Sequence, residues 1–184
     1  VSALNNRILL LGISKSPSVF DYDKLNWFNG EYIKAKSIEE FQELARPYFE
    51  STISKKIDFT KLAQILQQRV VRLIDIPSMI SFFEELPDYD ASFFINKKSK
   101  TNLENSKEML QAVIPELEKI TSWEKDIIHD VLINLAQQLG VKNGTLMWPA
   151  RIAASGTQVT PGGAIEILDI LGKEDKEIKE TTDY

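Results

Sequence analysis

Residues 148–163 read WPARIAASGTQVTPGG and predict two short helices joined by a polar loop. The first helix carries a single arginine, Arg151, and ends at Ser155-Gly156, since glycine is common directly after a helix. Thr160-Pro161-Gly162-Gly163 predicts the start of the next helix, with proline at its first position and two glycines that leave backbone N–H groups accessible. An arginine beside such a helix start suits an RNA base or phosphate better than a hydrophobic core.

Helical spacing of apolar residues continues outward from this stretch, and no segment alternates convincingly over the length of a strand. Residues 37–40 form a capping box, and Asp58 is placed to cap a helix whose apolar residues recur at helical spacing over 59–73. Two further boxes, at 101–104 and 121–124, predict the starts of two more helices. We therefore predict an all-α fold.

The stretch 86–100, LPDYDASFFINKKSK, is the predicted boundary between two lobes, because it combines a proline, acids and a lysine cluster with little to bury. We expect a two-lobed helical bundle with its first lobe at 19–88 and its second at 89–184. Residues 1–18 are expected to be a lead-in, the truncated start of a longer chain. The apolar run at 8–11 is far too short to span a membrane. We expect a cytoplasmic protein without membrane contact.

The composition argues against several classes of enzyme. With 43% hydrophobic and 27% charged residues, the chain is typical of globular proteins. It has no cysteine, which excludes disulfides and thiolate metal sites, and its one histidine, His129, argues against a Ser-His triad or a histidine-rich metal centre. Paired acids occur without a partner that would raise one pKa. We predict neither a catalytic nor a metal site.

The charge is unevenly placed along the chain. A net charge of -5 argues against general affinity for nucleic acid. However, residues 51–73 contain five basic side chains and one acid, and residues 131–163 contain two basic side chains and no acid. These basic windows permit contact with RNA, and chance variation among solvated helix faces is the alternative.

Two segments together resemble bacterial glutamate–tRNA ligases. Residues 20–33, FDYDKLNWFNGEYI, preceded by Lys15-Ser-Pro, are similar to the segment that follows the catalytic domain in that family. Residues 144–173 resemble its C-terminal part through a Pro-x-Arg, the Thr160-Pro-Gly and the sequence EILDILGK. Trp123 and the LGVK at 139–142 also fit. By this resemblance the chain is identified as the C-terminal anticodon-binding region of that family.

The resemblance implies an α-helix cage that holds the anticodon arm of a glutamate tRNA. It also implies a monomer joined covalently to an N-terminal catalytic domain of the class I synthetase type. That domain would use ATP and magnesium to activate glutamate and load it onto tRNA. The motifs of such a domain are absent here. We therefore expect no catalytic activity and no cofactor in this part of the enzyme.

The resemblance also assigns the residues that meet the anticodon. Arg151 corresponds to an arginine that reaches the anticodon, with an ordinary surface ion pair as the alternative. Trp148 is either a stacking surface for a base or a tryptophan buried between the lobes. The loop and helix start expected to meet the bases contain Thr160, Pro161 and Gly163.

A second recognition position is expected in the first lobe, where an arginine favours the cytosine of the glutamate anticodon over the glutamine anticodon. Counting back from Pro77 places either Gln67 or Arg69 there, so binding of glutamine isoacceptors stays open. A third group of basic side chains is expected to bind phosphate, adding affinity without sequence preference. These residues are Lys61, Arg72 and Lys142.

Two other interpretations remain. The chain is also compatible with an all-helical protein-interaction scaffold, which would expose an apolar patch of several hundred Å². A class I lysine–tRNA ligase fragment would share a similar helical cage, although residues 20–33 favour the glutamate family.

Overall fold

The computed structural model describes residues 21–173. Within that range the chain forms eight α-helices with short 3₁₀ turns, and the one β-bridge joins Asn96 to Thr101. The predicted all-α fold is confirmed. The predicted lead-in at 1–18, the Lys15-Ser-Pro motif and most of the acidic tail lie outside the described residues. The helices are α1 (Tyr22–Lys34), α2 (Ile38–Thr52), α3 (Phe59–Leu66), α4 (Ile76–Ile80), α5 (Leu103–Glu118), α6 (Lys125–Gln138), α7 (Asn143–Ser155) and α8 (Ala164–Leu171).

Several helix boundaries follow the local signals in the sequence. At the start of α2, Glu40 N–H donates to Ser37 Oγ while Ser37 N–H donates to Glu40 Oε2, both at 3.1 Å. Asp58 caps α3 by accepting from Thr60 N–H at 2.8 Å. Helix α7 ends at Gly156, whose φ of 62° is in the left-handed region that glycine adopts without strain. These three predictions are confirmed.

Helix α3 is shorter than predicted. It ends at Leu66, because the chain tightens there and Leu66 O accepts from both Arg69 N–H at 2.8 Å and Val70 N–H at 2.9 Å. The predicted helix over 59–73, which placed Arg72 on the same face as Lys61, is therefore wrong in its second half.

Two predicted capping boxes are also wrong in detail. The helix expected from 101–104 is capped by the side chains of Asn102 and Asn105 instead, since the hydroxyl of Thr101 is buried and donates to Phe94 O at 2.7 Å. The box at 121–124 does not form. The carboxylate of Glu124 accepts from Ser122 Oγ at 2.7 Å and makes no capping bond at the start of α6.

The described residues form two large hydrophobic cores and a smaller cluster around Phe94 and Ile152, and α8 packs into both large cores. The first core gathers buried side chains of α1 to α4, and the second gathers those of α5 to α7. Ile167 and Ile170 of α8 belong to the first core, whereas Ala164 and Leu168 belong to the second. Helix α8 thus connects the two cores. The boundary between lobes at residues 88 and 89 stays a prediction. No helix in residues 21–173 has the length and apolar content to cross a bilayer.

Candidate nucleic-acid interface

Arg151 is held in place by its own helix and by the loop that follows. It lies three residues after Trp148 on α7, a spacing that puts both side chains on one helix face. Its guanidinium carbon lies 4.4 Å from the centre of the Trp148 ring, and Nη2 donates to Gln158 O at 3.1 Å. Its Nε is buried and has no hydrogen-bond partner. The side chain is therefore fixed while part of its donor capacity is unused.

Arg69 approaches Arg151 from the first half of the chain. Burial lowers the pKa of Arg151, and the positive charge of Arg69 lowers it further. Arg69 is exposed, and neither arginine forms an ion pair with any acid in residues 21–173. Two neighbouring like charges without a counter-charge are unfavourable, so an anionic or electron-rich ligand is the chemistry that this arrangement accommodates.

The loop after α7 closes against the segment that precedes the second core. A Cβ added at Gly156 would lie 2.9 Å from side-chain atoms of both Pro87 and Tyr89, so only glycine fits this close approach. Ser155 Oγ donates to Arg151 O at 2.7 Å, which ties the end of α7 together. Val159 at the middle of the loop is 85% exposed and offers an apolar surface near Arg151 that sequence reasoning missed.

The start of α8 differs from the prediction. The helix begins at Ala164 with Gly163 as its N-cap, so Pro161 is not at the first helical position. Gly163 N–H donates to Glu166 Oε2 at 3.0 Å and is not open to a ligand. Thr160 and Pro161 are buried, and the hydroxyl of Thr160 donates to Gly162 O at 2.7 Å. In this structure the predicted open helix entrance is occupied by its own capping group.

The two candidates for the second recognition position are in different environments. Gln67 is 8% exposed, and its Nε2 donates to Lys36 O at 2.8 Å and to Ile33 O at 3.3 Å. These bonds tie the end of α3 to the end of α1. Arg69 is exposed near Arg151, as described above. The charge of Arg69 therefore acts on Arg151, while the amide of Gln67 is used within the fold.

The three predicted phosphate-binding side chains also differ. Lys61 Nζ lies 2.7 Å from Oδ1 of the buried Asp169, and Arg72 makes two hydrogen bonds to Asp75, at 2.8 and 2.6 Å. The hydrogen bonds with Asp75 raise the pKa of Arg72, so both of these cations are already paired. Lys142 is exposed and has no acid partner in the described part of the chain.

Trp148 is packed within the fold, and its role as a stacking surface for a base stays a prediction. It is half-buried, and its indole N–H donates to Phe93 O at 2.9 Å, as expected of a packed tryptophan. Its ring also carries Arg151 and forms one wall of a pocket of about 380 Å³. The pocket is lined by Asn96, Lys98, Ser99, Lys142, Gly144, Thr145 and Trp148. Lys98 belongs to the stretch 86–100 that is predicted to be the boundary between two lobes. The sequence does not indicate that Lys98 borders this pocket, because no periodic pattern relates residues 96–99 to α7.

The described residues form an all-helical domain, and comparison with known proteins gives its family. Residues 40–176 match the family model described as "Anticodon binding domain", and the chain belongs to that family. It is 48% identical over 163 residues to the glutamate–tRNA ligase of Clostridium tetani, covering 89% of this chain and 33% of that protein. It is 46% identical over 175 residues to the enzyme of Clostridium botulinum, covering 95% and 35%. The resemblance to glutamate–tRNA ligases is confirmed.

The chain spans about a third of the length of the curated relatives it matches. The fold is also similar to solved structures. A glutamate tRNA ligase from Elizabethkingia meningosepticum matches with a TM-score of 0.69 and 22% identity, over 89% of this chain and 32% of that one. That likeness supports the helical architecture.

Proposed function

We propose that the chain is the anticodon-recognition domain of a glutamate–tRNA ligase and binds the anticodon arm of a glutamate tRNA. The observation that carries this proposal is Arg151, held on the Trp148 ring and by Gln158 O, with the positive charge of Arg69 acting on it and no ion-pair partner for either arginine in the described residues. The guanidinium of Arg151 supports it, because Gln158 O is the one hydrogen-bond acceptor that it meets among the described residues, which leaves other N–H groups for a ligand. The similarity to glutamate–tRNA ligases indicates that the RNA is a glutamate tRNA.

Arg151 acts as a fixed hydrogen-bond fork. Trp148 and Gln158 O hold the guanidinium, so little side-chain entropy is lost when a base binds. Its free N–H groups match the acceptor atoms on the edge of an unstacked pyrimidine. Val159, exposed on the adjacent loop, provides an apolar surface for the face of a base. Thr160 and Pro161 are buried and fix the shape of the loop, and Gly163 is exposed at the start of α8, where RNA can approach it while its N–H stays bonded to Glu166.

Arg69, and not Gln67, occupies the discriminating position. Arginine donates to the O2 and N3 acceptors of cytosine, the base that ends a glutamate anticodon. A glutamine anticodon ends in guanine. The N1 and N2 groups of guanine are hydrogen-bond donors, so they cannot accept a hydrogen bond from an arginine. The domain therefore prefers the glutamate tRNA and excludes glutamine isoacceptors.

We further propose that the whole enzyme activates glutamate with ATP and magnesium in a class I catalytic domain, and that the residues described here contribute tRNA binding only. The protein acts as a monomer in the cytoplasm, where its tRNA is charged. The phosphate contacts come mainly from Lys142, because Lys61 and Arg72 are paired within the fold.

An exposed apolar patch is the feature expected of a protein-interaction scaffold, and α1 has several exposed apolar side chains. The exposed side chains on this helix are Tyr22, Leu25, Trp27, Phe28 and Tyr32. Family membership favours the RNA-binding function.

Binding of three RNA stem-loops tests the proposal. Hairpins with glutamate, glutamine and lysine anticodons on one common stem are titrated at fixed salt by fluorescence anisotropy. We expect the glutamate hairpin to bind at least tenfold more tightly than either of the others. Equal affinity for all three, or no binding to any of them, would contradict the proposed function.

A further inference from the structure

The pocket beside Trp148 has a rigid frame. Asn96 and Thr101 exchange two backbone hydrogen bonds, Asn96 N–H to Thr101 O at 3.1 Å and Thr101 N–H to Asn96 O at 3.0 Å. Ser99 N–H donates to Asn96 Oδ1 at 2.9 Å within this turn, and Thr145 Oγ1 of α7 donates to Ser99 O at 2.8 Å. The 96–101 turn is thereby pinned to the first turn of α7, so Lys98 and Lys142 border the same cavity.

The pocket is positively charged. Its lining residues, all within 21–173, include two lysines and no acid. Lys98 and Lys142 are exposed, and neither forms an ion pair in the described part of the chain. Other lysines, such as Lys34, Lys119 and Lys125, each pair with a glutamate. The neutral lining side chains, those of Asn96, Ser99 and Thr145, add hydrogen-bonding groups without opposing charge.

Trp148 links this pocket to the arginine cluster. Its ring lines the pocket and also carries the guanidinium of Arg151 at 4.4 Å. Because one ring borders both sites, the nucleotide next to a base that contacts Arg151 lies within reach of the pocket. Polyanionic backbone is the part of RNA that two unpaired lysines at the border of one cavity attract most strongly.

We propose that the pocket formed by Lys98 and Lys142 binds the sugar–phosphate backbone of the anticodon loop, next to the nucleotide that contacts Arg151. This inference rests on the proposed function for the identity of the RNA. The contact is independent of base sequence, because a lysine ammonium group recognises phosphate as a point charge.

Substitution of the two lysines tests the inference. Lys98→Gln and Lys142→Gln are titrated separately with the glutamate and glutamine hairpins across a range of salt concentrations. We expect each variant to bind both hairpins roughly three- to tenfold more weakly at low salt, by the same factor for each hairpin. The slope of log affinity against log salt should fall by about 0.7 to 1 per lysine. Lys98→Arg and Lys142→Arg should retain most of the affinity.

Lys119→Gln is the matched control. It removes one lysine charge at the C-terminal end of α5. This helix of 16 residues is about 24 Å long and begins beside the 96–101 turn, so Lys119 lies far from the pocket. We expect it to leave both the affinity and the salt slope unchanged. An equal loss in this control would contradict the inference, because it would show an effect of total charge. Thermal unfolding confirms that each variant folds.

The outcomes separate this inference from the proposed function. If the wild-type domain selects the glutamate hairpin while Lys98→Gln and Lys142→Gln bind it as tightly, the pocket assignment alone is wrong. A loss confined to one anticodon would likewise contradict it, since a backbone contact carries no sequence preference. If the wild-type domain binds all hairpins equally but both variants lose affinity, anticodon recognition is wrong and the backbone contact stands.

Discussion

Replacing Arg151 with methionine should separate RNA binding from stability. Methionine keeps an unbranched side chain that can pack on Trp148 through its sulfur, but removes the charge and the buried, unpartnered Nε. The RNA contact is lost in full. A good bidentate arginine contact to a base contributes about 1–3 kcal/mol, so we expect the glutamate hairpin to bind roughly 5- to 150-fold more weakly.

The stability change should be small because opposing contributions nearly cancel. Loss of the cation–π contact costs about 0.5–1 kcal/mol, and loss of the hydrogen bond to Gln158 O costs about 1 kcal/mol. Removal of the unsatisfied Nε regains about 1–3 kcal/mol, and repulsion from Arg69 disappears. We expect the free energy of unfolding to change by no more than about 1 kcal/mol.

Urea denaturation and fluorescence anisotropy measure the two effects on the same preparation. Arg46→Met is the matched control, since Arg46 is an arginine of α2 that already pairs with Glu43 and Glu50. It should leave the affinity for the hairpin unchanged. Unchanged binding by Arg151→Met would refute the site assignment. A drop of more than about 2 kcal/mol in unfolding free energy would refute the argument that this arginine is kept for its ligand.

Further predictions concern the selectivity for glutamate over glutamine tRNA, the ion pair between the two cores, and the loop after α7. Arg69→Gln should raise the relative affinity for the glutamine hairpin at least tenfold in competition binding, whereas Gln67→Ala should lower stability by about 1–3 kcal/mol without changing selectivity. Asp169→Asn breaks the ion pair with Lys61 and should cost about 1–3 kcal/mol in urea denaturation; an unchanged midpoint would show that this pair does not join the cores. Gly156→Ala should cost about 1–2 kcal/mol or more, because φ is 62° and the added Cβ would lie 2.9 Å from two neighbouring side chains; wild-type thermal stability would contradict this.

Much of the helical framework could be predicted because its signals are local. Three helix boundaries depend on residues within one helical turn: the box formed by Ser37 and Glu40, the cap at Asp58 and the glycine at 156. Because all the partners are near in sequence, these boundaries can be predicted from the sequence. The capping predictions that were wrong concern side chains that bond to an acceptor outside that turn. Thr101 was expected to cap α5, but its hydroxyl reaches Phe94 O instead.

The sequence by itself determined that the fold is helical, that Arg151 and Trp148 share a face of α7, and which family the chain resembles. Each of these depends on residue type and short spacing, which the chain displays directly. Only the tertiary structure decided that the charge of Arg69 acts on Arg151, that the amide of Gln67 is used within the fold, and that Asp169 pairs with Lys61. Charges and hydrogen-bonding groups act through space, and side chains far apart in the chain meet only after α8 has packed against both cores.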